Sequence, residues 1–102
     1  MITSFNKNIK LLTPWGHADY IKHIAPGIIF VSTPSHGGYK VERDVLRTMP
    51  KKYRVGGGWY EEDCEAVKVV LAFPKYFSPD HVEAAKESYA YWFKSDGTYE
   101  PR

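Results

Sequence analysis

Apolar and β-branched positions dominate the first half of the chain and predict strands. Residues 27–33 combine Ile, Phe and Val with little polar interruption, which is typical of a β-strand. Pro26 and Gly27 suit the second and third positions of a tight turn at the start of this run. We therefore predict a β-hairpin over residues 18–24 and 27–33, a third strand at residues 39–41 and a short strand at residues 9–12.

Helical spacing follows from about Glu42. Apolar residues at positions 41, 45, 46 and 49 share one side of a helix, and Pro50 should end this helix near residue 48. A second helix is predicted over residues 59–73, with acidic side chains in its first turn and Pro74 after its last. The apolar stripe of this second helix comprises Tyr60, Cys64, Val67 and Leu71.

A third helix is predicted from Ser78, because Ser is a favoured N-cap and Pro79 suits the first helical position. Strands thus precede helices along the chain. The predicted fold class is α+β, with a small antiparallel sheet of about three strands followed by two to three helices packed on one face. A chain of 102 residues predicts a single domain over residues 1–102, with loose ends at residues 1–8 and 97–102.

Charge is divided unevenly between the two halves of the chain. Residues 1–56 carry nine Lys and Arg against three acids, whereas residues 57–102 carry five against nine. This local basicity does not favour general nucleic-acid binding. The one cysteine excludes an internal disulfide. No apolar run approaches the ~20 residues that span a membrane and no leader pattern is visible, so we expect a cytoplasmic protein without a membrane partner.

Two sets of residues have the composition of a reactive-cysteine site and of a metal site, but physical arguments exclude both. Cys64 has acidic neighbours and lies on the predicted apolar stripe, and both features raise a thiol pKa, so we expect a buried and inert cysteine. His17, Asp19 and His23 would share a strand face, but the two His side chains would lie roughly 20 Å apart, too far for one ion. We predict no catalytic residue, no metal site and no cofactor.

Residues 33–38 form the loop with the most functional character. It joins small hydroxyls, an imidazole and two glycines at the end of the strongest predicted strand, and such loops allow a ligand to come close. A purely structural turn is the alternative. We expect His36 to be at least partly exposed and near Trp59 or the acidic residues 61–63. The candidate binding residues are Ser35, His36, Gly37, Gly38, Trp59, Glu61 and Glu62.

A basic patch with interleaved tyrosines lies in the middle of the chain. Cations beside aromatic rings can bind phosphates and stack bases, but a solvated helix face has the same composition. The glycines at positions 56–58 predict a flexible turn that lets Trp59 approach the sheet, since the three acids that follow would repel phosphate. The basic patch comprises Lys40, Arg43, Arg47, Lys51, Lys52 and Arg54.

Several motifs occur in an order that resembles a known family. They include Thr-Pro-Trp-Gly at residues 13–16, Ser-His-Gly-Gly at residues 35–38 and Gly-Gly-Trp-Tyr-Glu-Glu-Asp-Cys at residues 57–64. From residue 13 to about residue 77, the chain resembles a family of small uncharacterised bacterial proteins and domains, often carried on plasmids, prophages and phages. The resemblance implies a setting among the accessory genes of mobile elements, and it brings no activity, cofactor or catalytic residue.

We expect a non-enzymatic binding protein of a mobile genetic element that binds a host protein or a small ligand, as an anti-defence or host-takeover factor. One alternative is a small hydrolase or nucleotide-processing enzyme that uses His36 with Glu61, Glu62 or Asp63. The other is a nucleic-acid-binding accessory protein that acts through the basic patch. Convergence of His36 and the acidic residues in one cleft of the folded chain would distinguish the enzyme from the binding protein.

Overall fold

The computed structural model describes residues 11–102 and the backbone of residues 3–4. Its strands are β1 (Thr3–Ser4), β2 (Leu12–Thr13), β3 (Gly16–His17), β4 (Tyr20–Ala25), β5 (Ile28–Ser32), β6 (Gly37–Val41) and β7 (Trp59–Glu61). Its α-helices are α1 (Arg43–Leu46), α2 (Ala66–Ala72) and α3 (Pro79–Trp92), with 3-10 turns at Lys51–Tyr53, Gly56–Gly58 and Pro74–Tyr76. The fold is therefore α+β, as the sequence predicts.

The main sheet is antiparallel, with its strands in the order β1-β4-β5-β6-β7, and β2 and β3 form a separate two-stranded ribbon. The prediction of about three antiparallel strands is confirmed in part, because the main sheet has five strands in the described residues. The predicted strands correspond to β4, β5 and β6 at its centre. The additional strands β1 and β7 have only two and three residues, and so short a segment carries no readable alternation.

The predicted hairpin is confirmed. β4 and β5 pair antiparallel with Tyr20 opposite Ser32, and Gly27 in the connecting turn has a φ of 80°, which glycine adopts without steric cost. The predicted short strand at residues 9–12 lies partly outside the described residues, and Leu12 belongs to β2. The predicted loose end at residues 1–8 also lies outside them, apart from Thr3–Ser4, whose backbone pairs with β4.

The predicted helix over residues 59–73 is wrong in its first half. Residues 59–61 form β7, which pairs with β6 so that Tyr60 lies opposite Tyr39, and α2 begins only at Ala66. Trp and Tyr favour strands when an unpaired strand edge is within reach, and the free edge of β6 provides one. Gly58 makes this approach possible, because a Cβ at Gly58 would collide with the carbonyl of Val41.

The first predicted helix is shorter than expected, and the third is confirmed. The apolar spacing from Glu42 to residue 48 yields only the single turn of α1. α3 begins after Ser78, whose hydroxyl accepts a hydrogen bond from the His81 N–H at 3.1 Å. Residues 97–102, which the sequence predicts to be loose, fold back on the end of α3, where the Glu100 N–H bonds to the Trp92 carbonyl at 2.8 Å.

The core lies between one face of the sheet and the helical segments. Alternation along each strand directs Tyr39 and Val41 of β6 to this face, together with Tyr60 of β7. α2 packs against β6, β7 and α3. The buried cluster comprises Ile28, Tyr39, Val41, Met49, Tyr60, Ala66 and Val69. Within the part of the chain that the structure describes, no helix has the length and apolar character needed to cross a membrane.

Candidate functional site

The turn that carries His36 is held in place by Thr33. The buried Thr33 donates its hydroxyl proton to the His36 carbonyl at 2.8 Å and accepts the His36 N–H at 3.1 Å. The Thr33 N–H also bonds to the His36 carbonyl, at 2.7 Å. These bonds close residues 33–36 into a compact turn before β6, while Pro34, Ser35 and His36 remain exposed. The His36 side chain is thus presented from a fixed backbone.

The acidic residues 61–63 begin with the last residue of β7, the strand beside that turn. Glu61 pairs with Gly38 across the sheet, and the Glu62 N–H bonds to the Gly37 carbonyl at 2.9 Å. Because β6 and β7 are antiparallel, the start of one lies beside the end of the other. Sheet pairing therefore places the turn of His36 next to the acidic residues 61–63.

His36, Glu61 and Asp63 converge, and we call these three residues the donor cluster. His36 Nδ1 and Glu61 Oε2 are 3.7 Å apart, with the side chains 50% and 30% exposed. One nitrogen or oxygen atom from each residue of the cluster lies within 4.8 Å of the others. Partial burial raises the pKa of Glu61, the charge of Asp63 raises it further, and His36 opposes the shift. The expectation that His36 is exposed and near the acidic residues is confirmed.

A tryptophan pair lies on the same face of the sheet as Glu61. Alternation places Trp59 and Glu61 on the face opposite the helices. The Trp15 and Trp59 rings meet edge to face with centroids 5.7 Å apart. Lys40 Nζ lies 4.9 Å from the centre of the Trp59 ring and donates to the Gly57 carbonyl at 2.7 Å. We call the surface formed by Trp15, Lys40, Trp59 and Glu61 the tryptophan face.

The absence of a side chain at Gly38 leaves room for the Trp15 ring on this face. A Cβ at Gly38 would lie 2.6 Å from Trp15 Cη2 and would also collide with the Tyr60 carbonyl. Gly37 and Gly38 are both buried, and neither has a positive φ. The expectation that they allow a ligand to approach is therefore wrong, because neighbouring groups of this chain already fill the space beside them. Ser35, Trp59 and Glu62 retain exposed or half-exposed positions.

The members of the basic patch do not lie on one helix face. Of its members only Arg43 lies within α1. The Arg54 guanidinium donates to the Met49 carbonyl at 2.8 Å and the Arg47 carbonyl at 3.0 Å, and so fastens the chain after α1. Lys40 belongs to the tryptophan face. The exposed members of the patch are Arg43, Arg47, Lys51, Lys52 and Arg54.

Cys64 lies in the turn between β7 and α2 and is half-buried, so its predicted place on a buried helical stripe is wrong. Partial burial raises the pKa of the thiol, and the charges of Glu65 and Glu61 raise it further. This direction agrees with the sequence argument. A thiol with a raised pKa is a poor nucleophile near neutral pH, so Cys64 stays outside the candidate site.

The sequence reasoning missed the donor cluster as a group of metal-ligating atoms. Its members come from the turn before β6 and from the end of β7 and the turn that follows it, and their proximity depends on the β6–β7 pairing. The sequence predicts a helix where β7 lies. The strand-forming pair Trp59-Tyr60 beside three glycines is the signal that could have revealed β7.

A family model described as a domain of unknown function (DUF7007) matches residues 8–99 of the chain. No curated protein and no solved structure matches this chain. The resemblance drawn from the motifs is thus confirmed at the level of an uncharacterised domain family.

Proposed function

The chain belongs to the DUF7007 family of domains of unknown function, and we propose that it is a non-enzymatic binding protein whose donor cluster holds a divalent metal ion. The observation that carries this proposal is the convergence of His36, in the turn before β6, with Glu61 at the end of β7 and Asp63 in the turn that follows β7. The hydrogen bonds of Thr33 and the β6–β7 pairing fix the backbone of both turns. Little ordering is therefore needed when an ion binds.

The distances suit a small transition-metal ion. Around a tetrahedral zinc ion with bonds of about 2.0–2.2 Å, neighbouring ligand atoms lie about 3.3–3.6 Å apart. His36 Nδ1 and Glu61 Oε2 are already 3.7 Å apart, and small rotations of the exposed Asp63 can bring in its carboxylate. An imidazole with two carboxylates favours zinc, cobalt or nickel over magnesium and calcium, which prefer oxygen ligands alone.

Three protein ligands leave a coordination position open for a group from a partner. The family resemblance implies a setting among mobile elements, and that setting supports a host protein or a small host ligand as the partner, in an anti-defence or host-takeover role. A carboxylate or imidazole of the partner would complete the coordination, and the neighbouring tryptophan face would add apolar contact area.

Titration of the protein with Zn²⁺ by calorimetry, and with Co²⁺ by visible absorption, tests the metal. We expect His36→Ala and Glu61→Gln to weaken binding by at least about tenfold. His17→Ala is the matched control, because His17 is an exposed histidine in β3, and it should bind Zn²⁺ like the wild type. Equal affinity of wild type and His36→Ala would refute the proposal, and an unchanged melting temperature of metal-free His36→Ala would show that its fold is intact.

The hydrolase remains a second candidate, favoured by the placement of Glu61 beside His36. A carboxylate next to an imidazole orients it as a general base, although 3.7 Å exceeds a hydrogen bond. Hydrolysis of bis-p-nitrophenyl phosphate, measured with and without Zn²⁺, separates the two functions. Turnover that His36→Ala abolishes supports the hydrolase, whereas metal binding without turnover supports the binding protein.

A further inference from the structure

A second site candidate lies on the opposite face of the sheet from Glu61. A groove of about 570 Å³ runs between the β4–β5–β6 surface and the segment that leads into α3. Its volume lies within the range of small-molecule sites, roughly 300–1,000 Å³. The residues that matter for its chemistry are Lys22, Phe30, Tyr39, Phe77, Ser78 and His81.

Aromatic rings form one wall of the groove. Phe30 and Tyr39 meet edge to face at 5.2 Å, and Tyr39 meets Phe77 in the same way at 5.9 Å. Phe77 in turn meets the His81 ring at 5.2 Å. This chain of contacts holds each ring in one orientation, so the wall is ordered before any ligand arrives. A planar aromatic ligand can pack on such a wall whatever its ring substituents.

Side chains with N–H groups that can donate hydrogen bonds lie at the rim of the groove. Lys22 of β4 and His81 of α3 are exposed and both line the groove, and His23 lines it too. The described residues that line the groove include no carboxylate. Neither Lys22 nor His81 has an acidic partner within 4.0 Å among the described side chains. The Ser78 hydroxyl oxygen accepts the His81 N–H, which leaves its proton for another acceptor.

From this combination we infer that the groove binds a small molecule in which a planar aromatic ring is joined to a phosphate, the chemistry of a nucleoside monophosphate. The ring packs against Phe30, Tyr39 and Phe77. The phosphate lies between Lys22 and His81, where its oxygens accept charge-assisted hydrogen bonds from both and a further bond from Ser78. This inference is independent of the donor cluster, which shares no residue with the groove.

Calorimetric titration of the full chain with adenosine monophosphate tests the inference. We expect Lys22→Met and His81→Gln each to weaken binding by about tenfold, since each removes one charge-assisted bond. Lys86→Met is the matched control, because Lys86 is an exposed lysine of α3 that pairs with Glu83 away from the groove lining, and its affinity should equal that of the wild type. All three side chains are exposed, so the variants should keep the melting temperature of the wild type.

Two further probes separate the ring from the phosphate. Adenosine and inorganic phosphate should each bind more weakly than adenosine monophosphate, because each makes only part of the contacts. Equal binding of inorganic phosphate would overturn the role of the aromatic wall. No detectable binding of the monophosphate, unchanged affinity in Lys22→Met, or much tighter binding of a single-stranded oligonucleotide would overturn the inference.

Discussion

The buried hydroxyl of Tyr60 is the clearest place to test the energetics of this fold. Tyr60 is fully buried. Its hydroxyl donates to the Tyr53 carbonyl at 2.7 Å and accepts the Val55 N–H at 3.0 Å. It thereby joins β7 to the segment after α1. Tyr60→Phe keeps the ring and removes only the hydroxyl, so the change removes these two hydrogen bonds together with the 3.4 Å contact of the hydroxyl with Met49 Sδ.

Each bond contributes about 1 kcal/mol net, and a buried group left without its partner costs about 1–3 kcal/mol. Tyr53 and Val55 are half-buried, so water can partly replace the lost oxygen, and the lower end of that range applies. We expect Tyr60→Phe to lower the free energy of unfolding by about 2 kcal/mol. For a domain of this size that equals a fall in melting temperature of roughly 8–16 °C.

Urea denaturation followed by circular dichroism measures this change. Tyr39→Phe is the matched control, because Tyr39 is also buried but its hydroxyl makes no hydrogen bond to another described residue. The control should cost less than about 0.5 kcal/mol. We would reject this prediction if the free energy of unfolding of Tyr60→Phe lay within about 0.5 kcal/mol of the wild-type value, or if Tyr39→Phe lowered it as much as Tyr60→Phe does. Either result would show that these hydrogen bonds do not stabilise the contact between β7 and the segment after α1.

Other features of the structure lead to three further predictions. Burial raises the pKa of Tyr60 to about 12 from the ordinary 10.0. The free energy of unfolding, measured in urea at each pH, should therefore stay level up to pH 10 and then fall towards pH 12, by up to about 1.4 kcal/mol per pH unit, because Tyr60 ionises there only in the unfolded chain. A flat profile would contradict this. The buried Lys68 donates to the Gly97 carbonyl at 3.0 Å, and its Nζ lies 3.2 Å from Glu65 Oε1. Lys68→Met should therefore lower the free energy of unfolding by about 1–3 kcal/mol in the same assay. Lys86→Met, at an exposed lysine, should leave the free energy of unfolding almost unchanged. Because the basic patch is dispersed and its Arg54 bonds to backbone carbonyls, labelled oligonucleotides should show no anisotropy change at physiological salt, and tight binding there would restore the nucleic-acid hypothesis.

Local signals along the sequence were sufficient for several elements. The hairpin of β4 and β5 depends on a Pro-Gly turn between two apolar runs, and all of its determinants lie within about fifteen residues. The start of α3 depends on Ser78 and Pro79, where the cap contacts an N–H only three residues away. The α+β class followed from the same local patterns, because strand signals precede helix signals.

Elements at the edges of the sheet required the tertiary structure. Residues 59–61 carry both a helical apolar spacing and strand-forming aromatic side chains, so the sequence alone allows either state. The unpaired edge of β6 decides for a strand, because pairing satisfies the backbone and buries Tyr60 at the same time. Cys64 then falls in a turn rather than on a helix, which is why its predicted burial is wrong.

The candidate sites also depend partly on local sequence signals and partly on tertiary structure. The sequence by itself determined that His36 lies in an exposed turn at the end of a rigid strand, because the turn-forming residues are contiguous with it. Only the tertiary structure decided that Glu61 and Asp63 stand beside His36, since that proximity comes from pairing strands some twenty residues apart. The groove beside Phe77 likewise exists only because the segment that leads into α3 lies against the sheet. Local sequence patterns do not encode the space between two elements that meet only on folding.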